Sequence, residues 1–141
     1  MLLCGTLGRE ASAQAEWRRV GTSSDITQMQ SHGLAYDASR DRVVRYGGYS
    51  CNGRNSTTWE WDGEAWEQVL PPQSPPSRTS TAMVYDSHRK VCVMFGGALD
   101  RDDTWEWDGI DWTDKSAIIR PSGRYGHAMV YDLPPFRWTR G

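Results

Sequence analysis

This 141-residue sequence has little cysteine, little phenylalanine and no long apolar run. Its three cysteines, Cys4, Cys51 and Cys92, fall at non-equivalent places and make no disulfide framework, and no CxxC pair suggests a metal. Cys92 sits among apolar residues and reads as a small buried hydrophobe, with a Cys51–Cys92 bridge as the alternative. No apolar stretch approaches the ~20 residues needed to span a bilayer. A basic stripe is missing too. The net charge is −2, the pI about 5.9, and the basic residues are interspersed with acids, which argues against general nucleic-acid binding. There is no helix-period segment, nucleophile elbow, phosphate loop or metal-ligand spacing. Abundance lies elsewhere, in eight Trp, six Tyr, 14 Gly and seven Pro. Short aromatic strands joined by many turns are the natural reading of that supply.

The aromatics are periodic. Thr58-Trp59-Glu60-Trp61-Asp62-Gly63 returns 46 residues later as Thr104-Trp105-Glu106-Trp107-Asp108-Gly109. Tyr36-Asp37, Tyr85-Asp86 and Tyr131-Asp132 are 49 and 46 apart, as are Trp17, Trp66 and Trp112. Gly47-Gly48 recurs at Gly96-Gly97. A period this long, carried by strand-forming residues, signals a modular β-fold.

One unit reads as four strands, a to d. Strand a is His32–Tyr36, Thr81–Tyr85 and His127–Tyr131, each closed by Asp. After a hairpin-length polar turn, strand b is Arg42–Tyr46 or Val91–Phe95, and the near-continuous apolarity of the second copy implies burial on both faces. Diglycine follows, where backbone must pass without a Cβ. Strand c is the Trp-Glu-Trp segment, its alternation suited to two unlike faces, and Asp-Gly opens the next turn. Strand d is Ala65–Leu70 or Asp111–Ser116, and proline-rich connectors follow outside the sheets.

Four elements recurring in this order over residues 15–132 resemble the kelch repeat, in the form found in secreted bacterial proteins similar to the galactose-oxidase central domain. The resemblance implies a β-propeller in which each repeat of about 50 residues is one four-stranded blade. The fold expected is therefore an all-β kelch-type propeller fragment. Residues 31–70 and 79–116 form complete blades, Glu16–Val20 supplies a lone strand d with Trp17 in register, and 125–132 a lone strand a. Propellers close with about 4–8 blades, so the chain is expected to be part of a larger ring, with assembly from several chains as the rival.

Residues 1–15 resemble the end of an export signal. Ala11-Ser12-Ala13-Gln14-Ala15 offers small residues of the cleavage-site kind, while the basic start and full apolar stretch are lacking. Secretion or a cell-envelope location is the expectation. After Tyr131-Asp132 the pattern calls for an apolar strand and Phe-Gly-Gly, yet Leu133–Gly141 departs from it. A frameshift near residue 133 or truncation of the gene would account for the departure.

For chemistry, repeated residues weigh toward structure. Trp59, Trp61, Trp66, Trp105, Trp107 and Trp112 invite a sugar-stacking role, but a residue recurring in every unit more often packs one unit on the next. The same holds for Tyr36, Asp37, Gly47, Gly48, Tyr85, Asp86, Gly96, Gly97, Tyr131 and Asp132. Asp62 and Asp108 precede Gly in turns. Arg78 and Arg124 are expected to tie the connectors to the sheets through carbonyls. His32 and His127 share a repeat position with Thr81, which argues against a metal ligand. Copper ligands of the galactose-oxidase kind match no segment here, so no cofactor, metal or catalytic residue is assigned. The loops between strands b and c differ between repeats, and variable loops on a rigid frame commonly bind. Asn52, Arg54, Asp100, Arg101 and Asp102 are the candidate binding residues, with Asp100, Asp102 and Asp103 otherwise solvated acids. The function expected is a non-catalytic module recognising protein or carbohydrate, not nucleic acid, through its b–c and d–a loops. The alternative is a fragment of a propeller enzyme, an oxidase or sugar-active enzyme, with its catalytic residues elsewhere.

Overall fold

In the computed structural model, which describes residues 29–132, every regular element is a β-strand. The first sheet contains β1 (Gly33–Asp37), β2 (Arg42–Tyr46), β5 (Thr58–Trp61) and β6 (Trp66–Val69), neighbours in that order. Between β2 and β5, β3 (Tyr49–Ser50) and β4 (Gly53–Arg54) make a separate small hairpin. The second sheet repeats the first with β7 (Ala82–Asp86), β8 (Val91–Phe95), β9 (Thr104–Trp107) and β10 (Trp112–Asp114). All pairings are antiparallel, and both sheets set the second Trp of Trp-Glu-Trp opposite the Trp of the last strand, Trp61 to Trp66 and Trp107 to Trp112. The all-β expectation of two four-stranded units holds.

Alternation along the strands gives each sheet two unlike faces. In the first sheet Gly33, Ala35, Val44, Tyr46, Thr58 and Glu60 share one face by register. On the second sheet Met83, Tyr85, Cys92, Met94, Trp105, Trp107 and Trp112 likewise share one. These two faces meet, with β1 packed against β7 and β8. Met83, Cys92, Met94 and all three Trp of the second sheet form one buried cluster with Ala35, Val44 and Tyr46 of the first. The indoles are anchored as well as buried. Trp112 Nε1 donates to Thr58 Oγ1 and Trp107 Nε1 to Glu60 Oε1, both at 2.9 Å. Tyr46 meets the Trp112 ring edge-on at 5.0 Å. Each such Trp removes ~150–250 Å² from water, which at about 25 cal/mol per Å² corresponds to at most about 4–6 kcal/mol. Gly33 permits the close approach, since a Cβ there would stand 2.6 Å from the Met83 sulfur.

Three expectations need correction. His127–Tyr131 belongs to no strand, because none of the described residues lies alongside it to supply ladder hydrogen bonds. Strand β8 is buried on both faces only in part: Cys92 and Met94 are buried toward the first sheet, while on the opposite side Phe95 is buried and Val91 and Val93 are half-buried. The first b–c connection, expected as a loop between strands b and c, carries a two-stranded hairpin of its own. Residues 1–15, the strand expected at 16–20 and the altered sequence after Asp132 lie outside the described residues.

Candidate functional site

The b–c loops are held by the diglycines that precede them. Gly47 and Gly48 have φ of 65° and 111°, Gly96 and Gly97 of 69° and 127°, a left-handed region that L side chains rarely enter. Space forbids a side chain too, because a Cβ on Gly47 would sit 2.6 Å from the Arg78 carbonyl oxygen and one on Gly96 2.5 Å from that of Arg124. In return Gly48 N donates to Arg78 O and Gly97 N to Arg124 O, each at 2.9 Å. Each connector is therefore clasped by the sheet preceding it. Although residues 127–131 form no strand, their approach copies that of 81–85. Gly126 N donates to Ser80 O as Ser80 N does to Ser31 O, with φ of 64°, 55° and 58° at the three equivalent positions.

Arg78 joins the two loops. Its side chain is fully buried and donates to Gly96 O at 3.1 Å, as the carbonyl expectation required. It also grips both carboxylate oxygens of Asp103, at 2.9 and 2.7 Å, while its backbone N–H donates to Asn55 O at 3.2 Å. One residue thus links the first b–c loop, the connector and the second b–c loop. Burial pushes the Asp103 pKa up, but hydrogen bonds from Arg78 and the Trp105 indole outweigh it and leave the carboxyl below its ordinary range.

The predicted binding residues separate into two groups. Asn52 lies exposed at the turn between β3 and β4, its N–H held by Ser50 Oγ at 3.2 Å, and Arg54 is exposed on β4. Asp100, Arg101 and Asp102 stand in the second loop, where Leu99 and Asp100 adopt φ of 73° and 50°. That loop meets its own d–a connector. Asp102 pairs with Arg120 at 2.7 Å, and Arg101 O accepts from Arg124 N at 3.3 Å. Asp102 and Asp103 are therefore both paired, because the connectors bring arginines to them; Asp102 stays solvated as expected, with 43% of its side chain exposed, whereas Asp103 is mostly buried against Arg78. Among the described residues no recorded hydrogen bond or ion pair joins Asn52 or Arg54 to Asp100, Arg101 or Asp102.

Sequence reasoning missed Arg45. Its register with Leu34 and Trp59 places it on the outer face of the first sheet, the face with Trp59, Trp61 and Trp66. The side chain is 1% exposed, yet Nε and both Nη atoms find no hydrogen-bond partner among the described residues. Its guanidinium lies over the Trp59 ring at 5.8 Å, and burial lowers its pKa. His32 has Nδ1 buried without a partner. Burial first, then the Arg45 charge, lower the imidazole's pKa against a hydrogen bond with the Met29 backbone. A signal was available. The 49-residue offset sets Arg45 against Met94 and His32 against Thr81, so a charge stands in the first repeat where the second has an apolar side chain.

Other polar groups serve the frame. Asp62 Oδ1 accepts from Glu64 N and Ala65 N, and Asp108 Oδ1 from Ile110 N and Asp111 N, closing the two Asp-Gly turns. Cys51 and Cys92 are free thiols, and burial pushes Cys92 up to about 12, so it stays protonated. No group of three His, Cys, Asp or Glu side chains able to hold a metal occurs among the described residues. No protein-family model matches this chain, and no curated protein matches it.

Proposed function

We propose that the chain is a stretch of an exported kelch-type β-propeller that acts without catalysis, recognising protein or carbohydrate through its b–c and d–a loops. The observation that carries the reading is that two sheets of one design bear two differently built b–c loops. The first is a short hairpin exposing Asn52 and Arg54, the second an ion-paired loop presenting Asp100, Arg101 and Asp102. Scaffold constancy with loop variation is the pattern of binding surfaces. Buried Arg78 adds rigidity, which lowers the ordering cost of binding. The kelch assignment rests on the order of Tyr-Asp, Gly-Gly, Trp-Glu-Trp-Asp-Gly and spaced Trp, and each four-stranded sheet would be a blade. Export rests on Ala11–Ala15.

The test is a glycan array together with a peptide array, probed with the full chain and two loop variants. Asn52→Ala with Arg54→Ala changes one loop, and Asp100→Ala with Arg101→Ala the other. Loss of a wild-type signal in either variant, with circular dichroism unchanged, supports the reading. Signals that survive both variants place recognition elsewhere and overturn it.

A further inference from the structure

We propose that residues 128–132 are an open strand edge that takes up an apolar strand of another polypeptide by antiparallel pairing. The proposal rests on the pairing within the second sheet and not on loop binding, so either can fail alone. Ala128-Met129-Val130-Tyr131-Asp132 repeats the sequence of β7, Ala82-Met83-Val84-Tyr85-Asp86, without a change. Its placement repeats as well. Gly126 N donates to Ser80 O as Ser80 N does to Ser31 O, and the Tyr131 hydroxyl bonds to Asp86 as the Tyr85 hydroxyl does to Asp37. The His127 ring meets Phe95 edge-on at 5.6 Å. His127, Met129 and Tyr131 are half-buried, while Ala128 and Val130 between them are exposed, Val130 at 87%. The difference lies at the edge. β7 has β8 along its whole length, from Ala82 opposite Phe95 to Asp86 opposite Val91, whereas residues 128–132 have no strand beside them among the described residues.

The chain's own continuation is ill suited to fill that edge. After β1 and β7 the turn into the next strand is closed by the Asp carboxylate. Asp37 Oδ1 accepts from Ser39 N and Arg40 N, and Asp86 Oδ1 from His88 N and Arg89 N. After Asp132 the same two places hold Pro134 and Pro135, which have no N–H to donate. A second folded copy does not serve either, because its β8 is already paired on both sides, with β7 and β9. The occupant is therefore a free extended segment, the kind of partner an unpaired edge recruits through its backbone groups. The packing between the two sheets says which side chains suit it. β8 turns Cys92 and Met94 toward the first sheet, and both are buried. Their counterparts in the incoming strand would lie over Val84, Val93 and Phe95 on the far face of the second sheet. Apolar residues fit there. A strand of the β2 kind would set the counterpart of Arg45 on that surface and bury a charge.

The experiment titrates the isotope-labelled full chain with the blocked peptide Lys-Val-Ala-Val-Met-Phe-Gly-Gly-Lys and follows backbone amides by NMR and hydrogen exchange. The peptide is the β8 sequence with alanine for cysteine and lysines for solubility. Saturable shifts at residues 128–132, with exchange there slowed at least about tenfold, are the expected result. Proline in place of the central valine removes a ladder donor and should abolish both effects. The β2 peptide Lys-Arg-Val-Val-Arg-Tyr-Gly-Gly-Lys should bind about tenfold more weakly, and equal binding overturns the apolar preference. Only the peptides are altered, so no result depends on a variant that fails to fold. Absence of saturable shifts, shifts confined to β6 or β10, or an equal response to the proline peptide overturns the site. Amides 128–132 already protected in the free chain overturn it too, since a segment of the chain itself would then hold the edge.

Discussion

The two sheets share the hexapeptide Thr-Trp-Glu-Trp-Asp-Gly but give its tryptophans different surroundings. In the second sheet Trp105, Trp107 and Trp112 are 8%, 0% and 0% exposed, whereas Trp59, Trp61 and Trp66 of the first are only half-buried. Strand, register and turn are the same in both, so local structure is not the cause. The cause is directional packing. The second sheet turns its Trp face toward the first, which meets it with its Tyr46, Thr58 and Glu60 face. Only the second sheet's Trp face has such a partner among the described residues. A repeated residue therefore has a repeated conformation but not a repeated energy.

Unequal truncation would break this comparison most severely. Trp107→Ala should cost about 3–5 kcal/mol, and Trp61→Ala less than half of that, measured by urea denaturation. Equal losses would mean that the first sheet's indoles are as fully packed as the second's. Next in size is the contrast between the connectors. Arg78→Ala removes the partner of Asp103, and because that carboxylate keeps 22% of its side chain exposed the loss should be about 2–4 kcal/mol, below that of a fully buried pair. The Arg124 side chain is exposed; it bonds to Ser122 and lies 6.0 Å from the Phe95 ring centroid, and because Arg124→Ala keeps the backbone bonds it should change stability by less than about 1 kcal/mol.

A finer probe is the hydroxyl that receives Trp112. Thr58→Val leaves the buried indole N–H without an acceptor and should cost about 1–3 kcal/mol. Its counterpart Thr104→Val removes no recorded side-chain hydrogen bond, so a change under about 0.5 kcal/mol is expected. Similar costs would show that Thr104 also receives an indole.

The gentlest perturbation is acid. Backbone N–H of Arg89, then the Arg89 and Tyr131 side chains, hold Asp86 at about 2 against an ordinary 3.8, despite the opposing effect of burial. Its folded pKa is depressed, so its contribution is complete above about pH 4 and is lost as pH falls toward 2. Asp37, raised by burial but lowered more by Arg40, Ser39 and Tyr85, acts in the same direction. Asp86→Asn should flatten the decline in thermal midpoint between pH 4 and 2, and an unchanged slope would show that other carboxylates govern it.

Much of the frame was legible because it is written locally. Arg42–Tyr46, Val91–Phe95 and both Thr-Trp-Glu-Trp strands fall on the expected residues, and the Asp-Gly turns close as expected. What escaped depended on partners distant in sequence. A third strand at His127–Tyr131 has the right residues, but a strand exists only beside another. Asp103 looked like one of several solvated acids until the connector placed Arg78 on it, 25 residues away along the chain. Arg45 passed as an ordinary position in β2, and only its register against Trp59 and its 1% exposure set it apart.

The sequence by itself determined the unit: alternation made the strands, Asp-Gly and Gly-Gly set the turns, and the 46- and 49-residue spacings made two sheets of one design. Tertiary structure alone decided which tryptophans are core, which acids are paired and which arginine is left without a partner. The physical reason is range. Backbone preference and side-chain alternation act over a few residues, whereas burial and charge pairing depend on what another part of the chain brings to the same face.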